Sequence, residues 1–182
     1  MIRFFFILSA LIFGAMIFQL FLPPILLLGG SAVLFVPIVY FYGCLSLPFA
    51  LMLGLTFFTG LLQDLIQVPQ IKGHIGFPLG TSILIYLVPG LVMHGLKPLF
   101  QKHLLGTHYL LALFSAVLTP SILLAQYAII SFERGGFYFR DVIAWRIIGP
   151  GIISLFVAPC VFFVLTPLSH TLGYKPGLFF ET

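Results

Sequence analysis

The sequence predicts an all-α fold, a polytopic membrane helix bundle of six transmembrane helices in one integral membrane domain spanning 1–182. Three observations predict it. Hydrophobic residues make up 61% of the 182 residues, and the mean hydropathy is +1.22. Only 7% of residues are charged, against about 25% in ordinary soluble domains. A soluble fold of this length could not cover its core with so few polar side chains, so lipid must serve as solvent. Third, apolar stretches of about 20 residues recur along the chain, separated by Pro- and Gly-containing turns.

The candidate spans are Ile2–Leu22, Ile25–Tyr42, Leu47–Ile66, Leu79–Leu96, Tyr109–Phe132 and Val142–Thr166. In the first, Met1-Ile2-Arg3 is followed by the run Phe4–Leu22, longer than the 7–15 residues of a signal-peptide core, and Phe-Leu-Pro-Pro stands where a small-x-small cleavage site would. It reads as a retained span. Pro23-Pro24 predicts a tight hairpin to the second span, because proline cannot carry a helix across that point. Gly43–Ser46 predicts a second short turn, making the second and third spans antiparallel neighbours. Pro48 suits the first turn of the third span, where its missing N–H is not needed. Val68–Pro78 and Glu133–Asp141 are longer connections. Pro120 should kink the fifth span and free the carbonyl of Ala116. Gly149-Pro150-Gly151 should break or kink the sixth near its start.

The net charge of +4 comes from eight Lys/Arg against four acids. The basic residues stand singly at segment ends, which suits anchoring at lipid headgroups and points away from nucleic acid. Cys44 and Cys160 lie in or beside apolar runs without metal-type spacing and read as small apolar fillers. The five histidines form no i,i+4 pair, so neither a metal nor another cofactor is expected. The four acids are Asp64, Glu133, Asp141 and Glu181. Only Asp64 lies within a span. An aspartyl membrane protease would need a second intramembrane acid, and G-x-S-x-G is absent, so no enzymatic activity is expected.

The third span carries the most information. Thr56, Gly60, Gln63, Asp64 and Gln67 share one helical face, and Leu51, Leu55, Phe58, Leu62 and Leu65 share the opposite one. The polar face should pack inward as a partner-binding or structural face, with Ala50 and Gly54 allowing close approach at the other end. Asp64 is either a coupling or ligand-binding acid, or a helix-end acid paired with a base such as Lys72 or capping loop backbone. Ser115, Thr119 and Gln126 lie on one face of the fifth span, where interhelical hydrogen bonding is expected. Phe137, Tyr138, Phe139 and Trp145, interleaved with Arg140 and Arg146, suit anchoring at the membrane interface. The sharper alternative is recognition of an anionic lipid or a partner.

Pro37-Ile-Val-Tyr40, a short turn, Pro48-Phe-Ala-Leu, Gly54, Gly60-Leu-Leu-Gln-Asp64-Leu and then Gly76-Phe-Pro-Leu-Gly80 before another apolar span resemble the rod shape-determining protein MreD family. The match covers about Pro37 to Leu99; the loop Gln67–Gly76 looks longer than usual. The resemblance implies a non-enzymatic scaffold subunit of the bacterial cell-elongation complex, which builds peptidoglycan in rod-shaped cells. It implies the bacterial inner (cytoplasmic) membrane, with N- and C-termini cytoplasmic, a choice that the even split of Lys and Arg between the two sides leaves open. The implied partners are an MreC-like bitopic protein, the actin-like MreB, the glycosyltransferase RodA and a penicillin-binding transpeptidase, besides membrane lipids. The fold implied is similar to the substrate-binding subunits of energy-coupling-factor transporters. The alternative function is therefore a substrate-binding membrane subunit of a small-molecule, vitamin-type transporter, which would need a cavity with several convergent polar groups.

Overall fold

The computed structural model describes residues 2–66, 70–71, 74–75, 80–98, 107–133, 136 and 140–171. Among these, six helices dominate: α1 (Ile2–Phe21), α2 (Val36–Ser46), α3 (Phe49–Ile66), α4 (Thr81–Gly95), α5 (Thr107–Glu133) and α6 (Asp141–Thr171). A two-residue antiparallel pair, β1 (Gln70–Ile71) and β2 (His74–Ile75), lies in the connection between α3 and α4. Four helices, α1, α3, α5 and α6, are long and apolar enough to cross a membrane. The chain is a helical membrane protein.

The other two helices are shorter. At 1.5 Å rise per residue, α2 is about 16 Å long and α4 about 22 Å, against a hydrocarbon core of about 30 Å. All eleven residues of α2 are buried. Its sequence explains this, because VPIVYFYGCLS has no polar face and a helix apolar all round belongs in a core. The other helices surround it. The buried side of α1 (Phe4, Leu8, Ile12, Met16) repeats every four residues, and Ile2, Phe6, Phe13 and Phe21 point outward.

The second span differs from expectation. No helix runs from Ile25 to Tyr42. Instead Ile25 bridges to Ser31 around a 3-10 turn, Leu26–Leu28, and helix begins only at Val36. Gly29 and Gly30 take φ of 65° and 77°, a region that glycine enters freely and that ends helical winding. The hairpin after Pro23-Pro24 is accordingly a broad connection running from Leu22 to Phe35. The loop is held down by α6: the Ser31 hydroxyl donates to the Trp145 carbonyl at 2.9 Å, and also contacts the Leu28 carbonyl. At Gly149 a Cβ would strike the Ser31 side chain, so glycine there lets the loop lie against the helix.

The expected turn at Gly43–Ser46 is helical through Ser46, and the chain turns at Leu47-Pro48 instead. Leu47 N–H still donates to Gly43 O at 2.9 Å, and Met52 N–H takes Pro48 O as the first carbonyl of α3. Gly149-Pro150-Gly151 does not break α6, which is helical from Asp141 to Thr171. Nor does Pro120 interrupt α5. The two features meet. A Cβ on Gly151 would lie 2.5 Å from the Ala116 carbonyl oxygen, the group that Pro120 deprives of its N–H. Glycine therefore lets α6 lie directly against the proline turn of α5.

Candidate functional site

The inward face of α3 is where the polar residues of this chain gather. Thr56, Thr59, Gly60, Gln63 and Asp64 are all buried. Thr59, which the sequence pattern did not single out, donates to Leu55 O at 2.8 Å. Gln67 lies outside the described residues.

Asp64 is held by backbone. Its Oδ2 accepts from Gly80 N–H at 2.6 Å and its Oδ1 from Ser82 N–H at 3.2 Å. Gly80 is the residue preceding α4, with φ of 102°, and has no side chain to cap that helix. A carboxylate from α3 therefore does the work of an N-cap on α4. It satisfies two donors that the first turn leaves without intrahelical partners, and it places negative charge at the positive end of the helix. Of the two readings of Asp64, the geometry shows backbone capping. The donors come from the start of α4; Lys72 lies outside the described residues.

One turn earlier, α3 and α4 touch backbone to backbone. A Cβ on Gly60 would lie 2.5 Å from Ile83 Cα and 2.6 Å from Ile83 N. The close approach expected of Ala50 and Gly54 falls here instead. Both of those residues are exposed, and a Cβ on Gly54 would make only ordinary contact with the Phe5 ring at 3.6 Å. The opposite face of α3 is also corrected in part. Leu65 is exposed, Leu51, Phe58 and Leu62 are half-buried, and Leu55 is fully buried against Gly43. The large apolar residues that point outward are Phe49, Leu53, Phe57, Leu65 and Ile66. The reason is geometric: α3 packs against α2 as well as α4, and the buried arc widens to take in Leu55.

A second joint lies deeper. The Tyr40 hydroxyl sits 2.8 Å from Thr56 Oγ1 and 2.9 Å from the Tyr86 carbonyl, and Thr56 Oγ1 is 2.9 Å from Met52 O. Three contacts share two hydroxyl protons. Two protons serve two of the three at a time: Tyr40 donates to Tyr86 O and Thr56 to Met52 O, or Tyr40 to Tyr86 O and Thr56 to Tyr40, or Tyr40 to Thr56 and Thr56 to Met52 O. The Tyr40 and Tyr86 rings meet edge to face at 5.2 Å. Tyr40 reaches this point because Gly90, beside Pro89 in α4, leaves room: a Cβ there would run into the phenol, with its Cζ at 3.1 Å. At the far end of α4, His94 Nδ1 lies 3.0 Å from Cys44 O. A carbonyl only accepts, so Nδ1 carries the proton. Helix α4 is thus tied to α3 at its start and to α2 at its middle and end. The sequence pattern assigned no joint-forming role to Tyr40, which it quoted only within the family-like motif, to His94, weighed only as a metal ligand, or to Tyr86 and Gly90. The available signals were a tyrosine inside an apolar run and a Pro-Gly pair inside a span.

Tyr40→Phe is expected to lower stability by about 1–2 kcal/mol, since a hydrogen bond contributes about 0.5–1.5 kcal/mol net. Gly90→Ala should be more damaging alone than in the Tyr40→Phe background, where the colliding oxygen is gone. Thermal unfolding of the two single variants and the double variant in detergent reads this coupling directly; strict additivity would refute the wedge geometry.

The remaining sequence-predicted residues are scattered. Ser115, Thr119 and Gln126 are buried on one face of α5, as their spacing predicts. The expected interhelical hydrogen bonds are not made by Ser115 Oγ or Thr119 Oγ1, and Gln63 Oε1 likewise lacks a partner. Arg140, Trp145 and Arg146 are exposed at the start of α6, where anchors at a membrane surface belong. Phe137, Tyr138 and Phe139 lie outside the described residues. Cys44 is buried as a filler should be, whereas Cys160 is exposed. It lines a groove of about 500 Å³ between α1, α2 and α6, together with Gly14, Phe18, Phe35, Val39 and Val161. Every other lining side chain is apolar. Comparison of the chain with protein-family models, with curated proteins and with solved structures gives no match.

Proposed function

We propose that this protein is a membrane scaffold subunit of the MreD type, a non-enzymatic member of the bacterial cell-elongation complex. One observation carries the reading. Tyr40, Gly60, Asp64 and Gly80, all within the stretch that resembles that family, converge on the joint between α2, α3 and α4. A motif whose polar groups are spent on joining helices suits a protein that presents helix faces to others. The transporter reading needs polar groups converging on a cavity, and the groove among the described residues is apolar apart from one thiol.

In this reading the segments that carry α2 and α4 cross the bilayer with the four long helices, giving six spans. Both termini then lie on one side of the inner membrane, the cytoplasmic side. Reporter fusions after Arg3 and at Thr182 are expected to give matching cytoplasmic signals; opposite signals would remove the six-span arrangement, and two external signals would invert it. Function is tested in the native host. Depletion is expected to round the cells, and the tagged chain should co-purify with an MreC-like bitopic protein. Unchanged cell width at full depletion, with loss of uptake of a vitamin-type solute, would overturn the scaffold reading in favour of the transporter.

A further inference from the structure

We draw no further inference here: the strongest candidate, the apolar groove between α1, α2 and α6 around Gly14, is an open cleft for which nothing in the structure shows what covers it.

Discussion

Replacing Gly60 by leucine is expected to reduce the membrane abundance of the protein more than any other single change at this joint. The new side chain would begin 2.5 Å from Ile83 Cα, and backbone cannot rotate aside as a side chain can. Helices α3 and α4 would have to separate. Overpacking costs about 1–3 kcal/mol in ordinary cores and occasionally more. Here the separation also pulls Asp64 away from Gly80 and Ser82, because the carboxylate lies one turn further along the same face. The two losses add, so Gly60→Leu should fall at or beyond the upper end of that range. Gly60→Ala adds only the Cβ and should show a smaller loss of the same kind. Thermal unfolding in detergent, measured beside membrane abundance, checks both. A Gly60→Leu protein as stable as the parent would show that α3 and α4 are not in backbone contact.

Asp64 should show the second large effect, with an ordering that its geometry dictates. Both carboxylate oxygens accept from backbone N–H groups. In Asp64→Leu neither donor keeps its partner, and each buried unsatisfied group costs about 1–3 kcal/mol. Asp64→Asn keeps one acceptor and turns an NH₂ group toward the other N–H, so it also loses the charge that complements the start of α4. It should lie between the parent and leucine and be clearly destabilised, not mild. Asp64→Glu keeps the charge with one extra methylene and tests reach alone. The expected order of unfolding temperatures is Asp, Asn, Leu. If Asn unfolds with the parent while losing a partner in co-purification, the acid serves binding and not capping.

What the sequence made legible follows from which forces are local. Composition pointed to lipid as the solvent, and four helices are long and apolar enough to cross a membrane; the 3.6-residue spacing of Thr56, Gly60, Gln63 and Asp64 placed them on the buried face of α3. The start of α2 was hard to read, because Ile25–Tyr42 carries no charge and is mostly apolar, and hydropathy does not distinguish helix from a loop packed on a neighbour. The Gly29-Gly30 pair and Pro37 in the first turn of α2 were the local signs, and the tie that holds the loop, Ser31 to the Trp145 carbonyl, spans 114 positions. The break offered at Gly149-Pro150-Gly151 does not occur, whereas Pro120 leaves the Ala116 carbonyl without its N–H, as its position predicts. A proline removes one hydrogen bond, but whether the helix breaks depends on what packs against the freed carbonyl, and at Ala116 that is Gly151. The joining role of Tyr40 was not legible because a tyrosine in an apolar run has an interfacial role as readily as a buried one. Only the position of Tyr86 O and the space at Gly90 decide between them.

The complete burial of α2 has a consequence for biogenesis. Eleven residues are too few to be held across a bilayer as an independent segment, for which about 20 are needed. Helix α2 therefore cannot be an autonomous stop or start for the insertion machinery. In the six-span reading it enters with α1 or α3 and reaches its final depth only when later helices close around it. Nascent chains truncated after Pro48 are expected to leave Ser46 reachable from the wrong side or not fixed at all, and chains extended past α4 to fix it; a single accessibility pattern at both lengths would show that α2 inserts alone.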